Sequence, residues 1–533
     1  TSSGRIFFIW RILEIQKIKK MTPQFLLIYL LIWFILNLYF LTAFPFAHSD
    51  EPWLSGLTRN MMTEGRPDVT ETFFDLYPRH PHALKIIFHA FQMPFIFLGA
   101  YSLFSVRLLS LCAGVLCLYG FSRLLQRLSP GNKLAALTAT ILLSIDIQFI
   151  YAAHTARQEI LLLLVLILAF YHYLGIKKTQ QALFSGLIIG LSFGIHPNAF
   201  ILAVPLGLLY LLDIFNRKKT ITMGLFYLMG LAAGGVFFAG LSLLFNPGFI
   251  SDYLAYGSPL GVTRSLDTKI RQLPHFLSQL YHRIGGTYYL PDIRPQMIFF
   301  LLFLLLLIPT KVRGRSLVYA GTTGVLMGIM ALGKYSPLSI LFLTPFLYLA
   351  FFLLIQRLHL TLALSVTAVF VALNLLLSAS NIRTEVYPAD QKESYKEYLE
   401  GIEDALPPGA VVLANMNTEY AFEGGHLFDY RNLSYLPDNR DSSVENYIRE
   451  RKIEYILFPD ELDFVYESRP VWNVLYGNPS RWYPELKNFI QKKSVLIETL
   501  DSPAYAMRIQ AYKYKKEWKL KIYRVLPDSA REE

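Results

Sequence analysis

The chain has 533 residues, of which 53% are hydrophobic, 15% aromatic and only 17% charged, with a mean hydropathy of +0.37. That balance excludes an ordinary soluble globular protein, in which about a quarter of residues are charged, and reads as a polytopic membrane protein. The net charge of +11 does not indicate nucleic-acid binding, because the basic residues fall in short clusters between apolar segments.

Residues 1–22 are basic (Arg5, Arg11, Lys17, Lys19, Lys20) and are expected to stay on the cytoplasmic side. Residues 25–44 form the first expected span, too long for a cleavable signal and followed by no small-residue cleavage site. It delivers His48-Ser49-Asp50-Glu51-Pro52-Trp53 to the outer face. Two adjacent carboxylates at the mouth of a span need a water-filled cavity or a partner. The first outer loop, 45–93, also holds Asp68, Glu71, Asp75, Arg79, His80 and His82, and residues 83–91 suit a short amphipathic surface helix.

Further spans are expected near 94–121, 134–152, 160–175, 182–195, 198–214, 221–245, 296–309, 316–332, 338–355 and 360–379. Cys112 and Cys117, inside one of them, suit core packing better than a disulfide or a metal site. Arg123, Arg127 and Lys133 fall in the second loop, Lys177 and Lys178 in the fourth, and Arg217, Lys218 and Lys219 in the sixth. Lys311, Arg313 and Arg315 follow in the eighth, and Arg357 in the tenth. Basic even-numbered loops require about eleven helices with a cytoplasmic N-terminus. The odd-numbered loops then face outward and carry His154-Thr155-Ala156-Arg157-Gln158-Glu159, His196-Pro197-Asn198, the long stretch 246–295, and Gly333-Lys334-Tyr335-Ser336-Pro337. Residues 381–533 turn polar and Tyr-rich, with strand and helix patterns that predict a soluble α/β domain on the outer side.

The charges at that face suggest chemistry. Asp50 and Glu51 can supply a general base to an acceptor hydroxyl. Glu159 is expected to serve the cavity while Arg157 pairs with a carboxylate elsewhere. Lys334, alone at an outer edge, suits a phosphate, with Tyr335 as a further donor. His80, His82, His154 and His196 could bind a divalent metal, but their spacing matches no ligand motif, and pocket or interface contacts fit them better.

With these residues in hand, the chain resembles the GT-C class of integral-membrane glycosyltransferases, closest to the protein O-mannosyltransferase and aminoarabinose-transferase branch. The resemblance spans roughly 23–380. It rests on Asp50-Glu51, on Arg107-Leu108-Leu109-Ser110 with Gly114, on Ala156-Arg157-Gln158-Glu159, and on Gly333-Lys334-Tyr335 with Pro345. It implies transfer of a hexosyl or pentosyl group from a polyprenyl-phosphate sugar, with inversion, to a lipid, glycan or protein acceptor on the outer face of a bacterial-type inner membrane. Asp50 would be the base and Lys334 a ligand of the carrier phosphate. Glu159 stands where many relatives carry an aspartate. The rival is a transporter or lipid flippase without catalysis; inverted repeats would favour it, and the sequence displays none.

Overall fold

The structure is a computed structural model that describes residues 24–258, 262–279, 293–332, 337–386, 394–437, 443–468, 477–501 and 518–527. Its first part is helical: α1 (Gln24–Phe40), α2 (Asp50–Glu64), α3 (Ile86–Gly99), α4 (Leu103–Leu128), α5 (Lys133–Ser144), α6 (Ile147–His154), α7 (Glu159–Tyr173) and α8 (Thr179–Leu191). There follow α9 (Ala199–Phe215), α10 (Ile221–Phe245), α11 (Phe249–Gly257), α12 (Leu266–Gln279), α13 (Arg294–Leu307), α14 (Arg315–Leu332), α15 (Thr344–Ile355) and α16 (Leu360–Val386).

Among the described residues, five helices are long and apolar enough to cross a membrane, or six if the bent pair α5 and α6 counts as one span. Five further apolar helices are shorter, including α1, α7 and α9. Each expected span contains helix, but two depart from a simple rod. The span expected at 94–121 is broken, because Ala100 takes a positive φ of 61° and the Ser102 side chain accepts from Ser105 N to start α4 afresh. The span expected at 134–152 bends by 64° between α5 and α6.

The helices pack where side chains are smallest. Gly186 and Gly190 of α8 face Gly230 and Gly234 of α10, and a methyl group on any of the four would run into the opposite backbone. One apolar core joins α1 and α4 to α10 and α13 to α16.

The first outer loop is more ordered than its polar composition suggests. Asp50 opens the 15-residue helix α2, whose positive N-terminal end favours the two carboxylates of its first turn. Leu54, Leu57, Thr58 and Met61 recur at helical spacing and are buried, which accounts for a helix where periodicity is masked by Ser, Thr and Asn. The short helix expected at 83–91 begins later and runs on through Gly99.

The C-terminal part carries a five-stranded sheet, β1 (Val412–Ala414), β2 (Leu427–Asp429), β3 (Tyr455–Pro459), β4 (Ser494–Asp501) and β5 (Lys519–Val525), in the order β2-β1-β3-β5-β4. β1 runs parallel to β2 and β3, whereas β5 is antiparallel to β3 and β4. Helices α17 (Tyr395–Ala405), α18 (Val444–Glu450), α19 (Asp460–Ser468) and α20 (Tyr483–Lys493) cover it. One of its apolar clusters takes in Phe46, Phe73, Phe74 and Ala156, so the sheet shares a core with the loops that flank α2.

Candidate active site

The structure separates the two carboxylates at the start of α2. Glu51 is wholly buried, and Arg107 grips it with two hydrogen bonds, Nε to Oε1 at 2.7 Å and Nη2 to Oε2 at 2.8 Å. Glu51 also accepts from His48 N and from Ala156 N, each at 2.8 Å. Arg107 completes its donor set on the carbonyls of Leu41, Pro45 and Phe46. All five of its N–H groups thus have acceptors, as a charge withdrawn from water requires. The expectation that Glu51 faces a cavity as a catalytic group is corrected: its oxygens are taken up holding three chain segments together.

Asp50 lies differently. Its carboxylate keeps 18% exposure and pairs with Arg157, while its backbone N–H donates to His48 Nδ1 at 3.0 Å. Arg157 in turn holds Glu159, Nε to Oε2 at 3.2 Å and Nη2 to Oε1 at 3.0 Å. Arg157 thus pairs with the carboxylate of Asp50 and also with Glu159, which lines the pocket, so that one guanidinium bridges two carboxylates. Arg157 and Glu159 line a pocket with Gln148, Tyr151, Ala152 and Thr155 from α6 and its end, closed by Leu338 and Leu341. Leu338 follows Lys334 by four residues, but Lys334 and Tyr335 themselves lie outside the described residues.

The histidines are dispersed. His80 sits at the surface, 3.8 Å from Asp252. His82 packs on the rings of Phe249 and Tyr253, and burial, with Lys85 and Arg79 nearby, pushes it down to about 3, so it stays neutral. His196 Nδ1 accepts from Asn198 N at 3.0 Å in a turn. His154 bridges Phe44 O and Asn37 Oδ1, both at 2.9 Å. Among the described residues no group of three or more His, Cys, Asp or Glu could hold a metal ion.

The sequence reading missed the seam beside this site. Glu71 takes two hydrogen bonds from Arg79 and one from Trp53 Nε1; burial pushes its carboxyl up, but the Arg79 guanidinium outweighs this and holds it down at about 2. The Trp53 ring also faces the guanidinium of Arg431, 4.8 Å from its centroid. Asn432 Oδ1 accepts from the backbone N–H groups of Asp75, Leu76 and Tyr77, and Asp75 pairs with Tyr447 and Arg451. Arg59 of α2 pairs with Glu419 and donates to Phe422 O at 2.8 Å.

Residues 80–242 match the dolichyl-phosphate-mannose-protein mannosyltransferase family. Two solved structures superpose on almost the whole chain. One is ArnT from Cupriavidus metallidurans bound to undecaprenyl phosphate, at 13% identity and TM-score 0.52, covering 96% of this chain and 99% of that one. The other is the oligosaccharyltransferase AglB from Archaeoglobus fulgidus in complex with an inhibitory peptide and a dolichol-phosphate. It shares 13% identity at TM-score 0.51, covering 93% of this chain and 75% of that one. The fold is that of the GT-C membrane glycosyltransferases. Curated proteins offer no match. The GT-C resemblance read from Asp50-Glu51, Arg107 and Arg157-Gln158-Glu159 thus holds for the architecture, a multi-pass helical membrane part followed by a domain with a small sheet. In this GT-C fold the Asp50–Arg157–Glu159 bridge lies where α2, the end of α6 and the start of α7 converge.

Proposed function

We propose that the chain is a glycosyltransferase that takes a sugar from a polyprenyl-phosphate donor and passes it to a lipid, glycan or protein acceptor. The observation that carries this reading is the Asp50 carboxylate, partly exposed and tied through Arg157 to the pocket. Support comes from the GT-C fold and from neighbours whose structures hold dolichol-phosphate or undecaprenyl phosphate.

In this reading Asp50 takes the proton of the acceptor hydroxyl as its oxygen attacks the anomeric carbon. The bond from that carbon to the phosphate oxygen breaks, its electron pair leaves on the carrier phosphate, and configuration inverts. Asp50 needs to be ionised and aimed, and the guanidinium of Arg157 favours both. The three-residue bridge carries two negative charges and one positive, so it accommodates a cationic or partly cationic sugar centre better than a neutral site would. Lys334 and Tyr335 would meet the carrier phosphate, a leaving group that needs a cation more than an acid. His80, His82 and His196 would sit towards the acceptor side. The membrane part would run from about residue 23 to 380 in eleven crossings. The basic tail 1–22 would be cytoplasmic, and the domain from 381 and the site would lie at the outer face of an inner membrane.

The test incubates purified, reconstituted protein with a panel of polyprenyl-phosphate sugars and measures the free carrier phosphate released with an acceptor extract. Release by the native chain and its collapse in Asp50→Asn support the reading. Absence of release from every donor in the panel, in correctly folded protein, would sink it.

A further inference from the structure

Asp146 sits at the break between α5 and α6, in a segment of the chain that crosses the apolar core, and is 1% exposed. Its Oδ1 caps α6 by accepting from Gln148 N at 2.9 Å and Phe149 N at 3.3 Å. Its Oδ2 lies 2.6 Å from Tyr348 Oη of α15, and Tyr348 Oη lies 3.1 Å from Asn374 Oδ1 of α16. No ion pair among the described residues involves Asp146. The other polar groups at the break are neutral: Ser144, held by Tyr29 and Trp33 of α1, and Ser378, which donates to Ile145 O.

The hydrogens can be counted. Asn374 Nδ2 donates to Phe370 O at 2.9 Å, which fixes the amide with its oxygen towards Tyr348. Tyr348 has one phenolic hydrogen and two oxygens to satisfy. If Asp146 were ionised, that hydrogen would go to one of them and leave the other facing an oxygen without a proton between. The charge would also lie among apolar helices with no cation to balance it. A protonated Asp146 removes both problems: it donates to Tyr348, Tyr348 donates to Asn374, and Asn374 donates to Phe370 O.

We infer that Asp146 is held as a neutral carboxylic acid at the head of a hydrogen-bond relay, Asp146 to Tyr348 to Asn374, that clamps the broken span. It thereby acts as a positioning residue for the pocket, because α6, which it starts, supplies the pocket wall from Gln148 to Thr155. The bend is then a built feature, fastened by one proton rather than by a charge pair.

The experiment compares full-length wild type with Asp146→Asn, Asp146→Leu and Tyr348→Phe in lipid. An amide at this position accepts from the α6 N–H groups and donates to Tyr348, so Asp146→Asn retains thermal stability, whereas Asp146→Leu and Tyr348→Phe lower Tm. The infrared difference between wild type and Asp146→Asn shows loss of a protonated-carboxyl C=O stretch at neutral pH. Loss of a carboxylate stretch instead, or a Tm as low in Asp146→Asn as in Asp146→Leu, overturns the inference. A transfer assay, which alone rests on the proposed activity, adds a split. Asp146→Leu raises the KM for the donor on the order of ten- to a hundredfold with a smaller fall in kcat, and Asp146→Asn recovers most of it. A kcat loss shared by both variants would show that the charge is required and overturn the neutral-acid assignment. Should the chain transfer no sugar, the infrared and thermal results still decide.

Discussion

Glu51 and Arg107 form an ion pair with both side chains fully withdrawn from solvent, and the same carboxylate accepts from the backbone beside Asp50 and beside Arg157. One buried pair therefore sets the distance between two groups that meet in the pocket region. Removing one partner of such a pair leaves an unbalanced charge. Arg107→Leu should lower stability by about 3–5 kcal/mol, and adding Glu51→Leu should recover part of that loss. Thermal unfolding of the three proteins in one detergent checks this; a double variant less stable than the single one would show that the pair does more than balance charge.

Asp50→Asn should lower turnover by about a hundred- to ten-thousandfold, the usual range for general-base catalysis. Donor binding and Tm should change little, since this carboxylate is partly exposed. Glu51→Gln should behave oppositely, losing stability first. If Asp50→Asn kept near-full turnover in a stable protein, the base would have to be sought elsewhere.

Lys334→Ala should weaken donor affinity by roughly ten- to a hundredfold, the effect of one charge-assisted contact of about 1.5–3 kcal/mol. Direct binding of a polyprenyl phosphate, measured without acceptor, reads this apart from catalysis. Unchanged affinity would make Lys334 a lipid-facing cation with no part in donor recognition.

The contact between α2 and the C-terminal domain should respond to pH. Burial, reinforced by Asp429 and only partly offset by Arg59, pushes Glu419 from an ordinary 4.5 up to about 8. A folded-state value above the unfolded one means that folding favours the protonated acid. Its contribution is complete below about 4.5 and is lost as pH rises through about 8. Thermal stability should therefore fall from about pH 4.5 to about pH 8 and level off above that, and Glu419→Gln should flatten that slope. An identical slope in the variant would assign the dependence to another group.

Much of the architecture was legible because apolar runs and loop charges are local signals. The strand at 519–525 and the helix capped by Ser443 could be read from alternation and a capping residue alone. The bend at Asp146 was not, since one acid inside an apolar run barely alters its hydropathy. Arg107 was quoted as part of a motif, yet its role had a sequence signal: a lone cation inside a span demands an anionic partner, and Glu51 was available. The seam of Glu71, Arg79, Arg431 and Asn432 joins residues more than 350 positions apart, and no local pattern pairs them.

That seam has a temporal side. Asn432 clasps the backbone of residues 75–77, made 355 to 357 positions earlier. At roughly 5–20 residues per second, those residues leave the ribosome about 20–70 s before their clasp exists. The stretch beside the Asp50 helix is among the first to be synthesised and the last to be fastened. A chain cut short ahead of residue 432 would carry Asp50, Arg157 and the pocket, yet lack what holds their neighbourhood in place. Synthesis as far as residue 432 is in this way a condition for fastening the stretch that follows the Asp50 helix.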